Sequence, residues 1–183
     1  MLSAIVFCGD EYASRLSRRG TKEDDFDIAQ AMVSTLTGLV PAHVDGLLRD
    51  MIIIGPAGHD LALIADHAGC GLVEAETEAE GFAAAIAMAR GPGLFLLKAG
   101  FRLETGFIEE CRRHLRQGDD PLPLCIKGRR PETLFERLWP TRRPLAGLIL
   151  PRGNGTMRPG ETFASLSQRY RKEKPLRCRA FEV

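Results

Sequence analysis

The chain has 183 residues, 44% hydrophobic and 27% charged, ordinary proportions for one soluble globular domain with a sizeable core. No apolar run approaches the ~20 residues needed to cross a bilayer. The opening Met1-Leu2-Ser3-Ala4-Ile5-Val6-Phe7-Cys8 lacks the basic start and cleavage site of a secretion signal. Five cysteines, Cys8, Cys70, Cys111, Cys125 and Cys178, are scattered without a Cys-x-x-Cys pair, a pattern of free thiols in a reducing, cytoplasmic compartment.

The net charge of +1 conceals an asymmetry. Residues 127–183 hold 14 basic and 5 acidic residues, net +9, whereas the first 126 hold 11 and 19, net −8. A basic C-terminal third either attracts phosphates, anionic headgroups or nucleic acid, or lies against the acidic part of its own fold or of a partner subunit, or is simply solvated.

Along the chain, apolar runs alternate with amphipathic stretches. Residues 3–7 read as a first strand, and 14–27 as a polar loop or weak helix start. Over 27–39, Ile28, Met32, Leu36 and Leu39 recur at helical spacing. Met51-Ile52-Ile53-Ile54 is apolar and β-branched, a strand of the buried parallel type. A short helix over 60–68 ends at Gly69 as its C-cap, followed by a strand at 71–74. An Ala-rich helix over 76–90 stops at Gly91-Pro92-Gly93, and 94–97 form the next strand. A helix over 106–117 places Phe107, Cys111 and Leu115 on one face. Strand, helix and strand follow at 122–126, 131–139 and 146–150; beyond Pro151 one helix is predicted over 161–172. The alternation predicts an α/β fold, a three-layer and mostly parallel sheet, over residues 1–151. Residues 152–183 read as a basic extension packed on that body or trailing from it.

In such a sheet, ligands sit beyond the carboxyl ends of the strands. Two loops qualify: Gly55-Pro56-Ala57-Gly58-His59-Asp60 and Lys98-Ala99-Gly100-Phe101. His59, Asp60, Asp66 and His67 resemble metal ligands on paper, but His59 and His67 are about 12 Å apart along a helix and cannot share an ion. A helix-start role suits His59 and Asp60 better. No phosphate-binding Gly-x-x-x-x-Gly-Lys-Ser/Thr loop occurs, and Gly153-Asn154-Gly155-Thr156 is a turn signal. Cys8 has no identifiable histidine partner and reads as a structural thiol.

From Leu2 to about Leu103 the order of elements resembles the nucleotide-binding half of a family 2 glycosyltransferase of the GT-A fold. The family's Pro-x-x-Asn-Glu corresponds to Phe7-Cys8-Gly9-Asp10-Glu11, and its Asp-Gly-Gly-Ser-x-Asp to Gly55-Pro56-Ala57-Gly58-His59-Asp60. Its helix endings in Ala-Gly and Arg-Gly are matched by Ala68-Gly69 and Arg90-Gly91, while its Asp-x-Asp is replaced by Lys98-Ala99-Gly100. The resemblance implies a sheet of the nucleotide-diphospho-sugar transferase type, with Asp10, Glu11, Gly55, Asp60 and Lys98 around a nucleotide. It also implies what is lost. Glycine at position 55 offers no acceptor for the base, and Lys98 and Gly100 cannot hold the divalent cation that the family's carboxylates bind. No cofactor and no divalent metal is therefore expected.

Lys98 has two readings: a fixed positive charge that meets the pyrophosphate in place of the metal, or a strand-end residue reaching solvent or pairing with Asp10, Glu11 or Asp60. A general base is available in Glu132, Glu136 or Glu161, which read equally as surface or capping residues. Three functions follow. The first is a divergent, metal-independent sugar-nucleotide transferase, and the second a degenerate, catalytically inactive relative serving as a binding or assembly module. The third is a domain that contacts an anionic lipid, RNA or other polymer through Arg169, Arg171, Lys172, Lys174, Arg177 and Arg179.

Overall fold

A computed structural model describes residues 1–9, 22–58, 60–117, 123–129, 145–153, 156–170, 173 and 175–182. The helix expected at 131–139, with Glu132 and Glu136, lies outside these residues, as does part of the 153–156 turn. The described strands are β1 (Leu2–Phe7), β2 (Leu48–Gly55), β3 (Gly71–Glu74), β4 (Gly93–Lys98), β5 (Phe101–Leu103), β6 (Leu124–Arg129), β7 (Leu145–Pro151) and β8 (Ala180–Glu182). The described helices are α1 (Lys22–Val44), α2 (Leu61–Ala68), α3 (Glu78–Met88), α4 (Phe107–Gln117) and α5 (Phe163–Arg169).

The strands form one sheet in the order β3-β2-β1-β4-β7-β6-β8-β5. β3, β2, β1 and β4 are all parallel, in keeping with the continuous apolar runs Ala4–Phe7, Met51–Ile54 and Leu94–Leu97. β7 runs antiparallel to β4 and β6 antiparallel to β7, which returns β6 to the direction of β4. β8 is parallel to β6 and β5 antiparallel to β8, so β7 and β5 alone oppose the others among the described strands. Strand alternation divides the core between two faces. Val6, Ile53 and Leu97 pack with residues of α1, α2 and α4. Phe7, Ile54 and Leu96 pack with residues of α3 and α5. Helices thus cover both sides of a mostly parallel sheet, the predicted three layers.

Local sequence explains the framing elements. The buried stripe of α1 continues from Ile28, Met32, Leu36 and Leu39 to Ala42, beyond the predicted end at Leu39. Pro41 is accommodated inside this helix because it falls on the exposed side. α2 ends as predicted at Gly69, whose φ of 64° is the left-handed conformation of a helix C-cap. In α3, a Cβ at Gly81 would stand 2.4 Å from Ile54 Cγ2, so glycine lets the helix settle on β2. Beyond Pro151, Phe163 and Leu166 enter the core beside Phe7, and Leu176 and Ala180 enter the core on the other face. The short strands β5 and β8 were not foreseen; each supplies the other's ladder, from Phe101↔Glu182 to Leu103↔Ala180. Among the described residues, no helix is long and apolar enough to cross a membrane.

Candidate functional site

β1 lies between β2, reached through α1, and β4, reached after β3 on the far side. The chain reverses its winding at β1 and β4, so the topological switch point lies beyond their carboxyl ends. Phe7 pairs with Ile54 on one side and Lys98 on the other, which brings the three strand ends level. The Ala99 N–H donates to Phe7 O at 2.8 Å, tying the loop after β4 to the end of β1. Gly100 turns there with φ 84°, and its N–H donates to Thr35 Oγ1 at 2.9 Å. Thr35 is fully buried on α1, so the long helix fixes the turn from behind.

Lys98 is held along its length. A Cβ at position 9 would lie 3.4 Å from both Lys98 Cδ and Cε, so the lysine stem runs over the Gly9 backbone. Lys98 Nζ stands 5.1 Å from the ring centroid of Phe163, within cation–π range. That ring packs on Phe7 at 4.9 Å, and Phe7 packs on Phe82 at 5.0 Å. The Phe163 N–H donates to the Glu78 carboxylate, while Thr162 and Ser165 form a reciprocal capping box at the start of α5.

Gly55 sits at the same edge of the sheet but faces the other way. A Cβ there would stand 2.3 Å from Leu61 Cδ1 and 3.8 Å from Cys8 Sγ, on the α1–α2 face. Lys98 lies against Phe163, on the α3–α5 face. The two positions therefore share a rim and not a side-chain pocket, and Leu61 fills the space a carboxylate at position 55 would need. Beside it, burial pushes the Cys8 thiol up to about 11, which keeps it protonated near neutrality. Asp60 is exposed and stands at the N-cap of α2, the helix-start position expected of it; its carbonyl accepts the Ile64 N–H at 3.0 Å, while at φ 54° its side chain makes no capping bond. Asp10, Glu11 and His59 lie outside the described residues.

The cation implied by the resemblance to the glycosyltransferases would need carboxylates at the end of β4. Here an ammonium group lies over a phenyl ring, followed by an alanine and by a glycine whose N–H is already bonded. Among the described residues no group of three or more His, Cys, Asp or Glu could hold a metal ion. These residues do not fit a divalent cation.

The basic C-terminal segment is partly committed within the molecule. Arg169 pairs with Glu161 at 3.0 Å, donates to the Thr156 carbonyl and covers the Tyr170 ring at 4.7 Å. It is thereby withdrawn from the anionic-partner surface expected of it. Glu161 also accepts the Arg158 N–H at 2.7 Å, an internal brace. Arg177 is exposed and Arg179 half-buried; Arg171, Lys172 and Lys174 lie outside the described residues. Sequence reading missed the carboxylates that dock this segment. Glu110, 6% exposed, accepts the N–H groups of Arg177 and Cys178 at 2.8 Å each. Glu104 accepts the Arg179 N–H at 2.9 Å and returns its own N–H to the Arg179 carbonyl. The one clue was Glu110 on the apolar side of α4, beside Phe107 and Cys111.

No family model matches the sequence, and no curated protein sequence matches it. Solved structures do match. The chain is similar to the inositol-1-phosphate CTP transferase from T. maritima at 10% identity and a TM-score of 0.61, covering 100% of this chain and 89% of the transferase. It is similar to the mannose-1-phosphate geranyltransferase from Thermus thermophilus at 15% identity and a TM-score of 0.53, covering 94% and 61%. It is also similar to glucosyl-3-phosphoglycerate synthase from Mycobacterium tuberculosis, solved with Mn²⁺, UDP and phosphoglyceric acid, at 16% identity and a TM-score of 0.52. That match covers 83% of this chain but 56% of the synthase, so the chain spans little more than half of the larger enzyme. At these identities the likeness is one of fold: the chain has the α/β fold of nucleotide-sugar transferases.

Proposed function

We propose that this chain is a glycosyltransferase-like protein that binds a nucleoside-diphosphate sugar at the β1–β4 switch point without a divalent cation. The observation that carries the reading is Lys98, whose ammonium is placed by Gly9 and Phe163 at the strand end where the fold receives its ligands. A fixed cation there stabilises a diphosphate, both bound and as a leaving group. The resemblance assigns Asp10, Glu11 and Asp60 to the nucleotide as well, while Gly55 faces Leu61 on the opposite side of the sheet. With no carboxylate at position 55 and none at 98 or 100, the protein either transfers sugar by the lysine's charge alone or has become a sugar-nucleotide-binding module.

Calorimetric titration with UDP, CDP, GDP and UDP-glucose, with and without Mn²⁺, tests this. Binding should be independent of Mn²⁺ and weaken at least about tenfold in Lys98→Ala, the loss of roughly 1.4 kcal/mol or more expected when a charged partner is removed. Unchanged affinity in Lys98→Ala refutes the reading. Turnover of UDP-glucose separates transferase from binding module. A second reading, nucleotidyl transfer, is favoured by the likeness to the CTP transferase over 89% of that enzyme. Pyrophosphate release from CTP with a sugar or inositol phosphate would select it.

A further inference from the structure

We propose that Phe163, from the C-terminal segment, is a positioning residue that aims the Lys98 ammonium at the diphosphate; this inference rests on the reading above. Three features support it. Lys98 and Phe7 are paired neighbours on β4 and β1, and the Phe163 ring bridges them, 4.9 Å from the Phe7 ring and 5.1 Å from the ammonium. Phe163 is itself immobilised: it is 2% exposed, its N–H is bonded to the Glu78 carboxylate, and its helix starts in a capping box. The lysine stem also passes beside Gly9, where an added Cβ would stand 3.4 Å from both Cδ and Cε.

A lysine at a strand end otherwise samples many rotamers, and that freedom is lost when a ligand fixes it. A cation–π contact shifts the population toward the held rotamer about 2- to 30-fold, according to how dry the contact is. Phe163 therefore raises affinity for an anion by preorganising the cation. The arrangement also assigns the segment after Pro151 a share in the site that α5 reaches over the sheet to supply.

The test is a double-mutant cycle on Lys98→Ala and Phe163→Leu, read by calorimetry with UDP and with inorganic pyrophosphate. Phe163→Leu should weaken both ligands about 3- to 10-fold, and Phe163→Tyr, which keeps the ring with little added volume, should lose less than Phe163→Leu. In the Lys98→Ala background Phe163→Leu should have no further effect, which a merely structural role would not produce. Lysine methylene resonances of the unliganded protein give a second readout: Lys98 should carry a ring-current shift that Phe163→Leu removes. If the wild type binds neither probe, the diphosphate reading falls and the role assigned to Phe163 falls with it. If the wild type binds and the two substitutions act additively, the positioning role alone is overturned.

Discussion

Glu110 should act as the latch of the C-terminal segment, and Glu110→Gln tests it. Both carboxylate oxygens are used, one on the Arg177 N–H and one on the Cys178 N–H, each at 2.8 Å in a site from which water is largely excluded. Glutamine keeps the shape but places an amide NH₂ against one of those donors. It loses one charge-assisted bond outright and weakens the other. Hydrogen bonds to charged groups contribute about 1.5–3 kcal/mol each, so a loss of about 2–3 kcal/mol is expected. For a protein of this size, each kcal/mol moves Tm by about 2–4 °C, giving a drop of roughly 4–12 °C in a calorimetric scan. Hydrogen exchange should localise the effect to the amides of Arg177, Cys178 and Arg179, which would lose protection before the β1–β4 strands. The pH dependence has a fixed sign. Burial pushes the Glu110 carboxyl up, but the Arg177 and Cys178 N–H groups, the Cys178 thiol and the nearby His114 outweigh it and hold it below its ordinary value. The latch therefore contributes fully above the carboxyl's unfolded-state pKa and is lost as pH falls through the lowered folded value. Glu110→Gln should flatten that acid limb. A Tm within 1 °C of wild type at pH 7, with unchanged exchange at 177–179, would refute the reasoning.

The other predictions concern the strand ends. Introducing an acid with Gly55→Asp forces a side chain to within 2.3 Å of the fully buried Leu61, which should cost about 1–3 kcal/mol for overpacking before any charge penalty. Leu61→Ala should recover part of that loss in the double mutant, and a neutral Gly55→Asp would show that the space at position 55 is open. Cys8 and Cys111, whose thiols burial raises to about 11 and about 12, should resist iodoacetamide at pH 8 in the folded protein and react on unfolding. Mass spectrometry of the labelled peptides decides this, and rapid labelling of Cys8 in the native state would contradict its structural role.

The parallel half of this protein is legible in its residues. The Ala-Ile-Val-Phe run of β1, the Ile-rich end of β2 and the Leu-Phe-Leu-Leu of β4 call for burial between helical layers, and the helical stripe of α1 says which side of it faces them. Because ligands of such sheets gather at the carboxyl ends, Lys98 was identifiable as a site candidate from its position after β4. Tertiary structure alone decided the rest. The antiparallel entry of β7 and the pairing of β5 with β8 join segments far apart in the chain, and three-residue strands carry too little pattern to announce themselves. Glu104 and Glu110 read as surface acids until the backbone of residues 177–179 is placed on them. Gly55 and Lys98, adjacent in any list of strand ends, project to opposite faces because side chains alternate along strands and the register of β1 with its neighbours sets which face each takes. The ring over Lys98 belongs to a helix 65 residues downstream, and only a folded chain could bring that apolar surface to the charge.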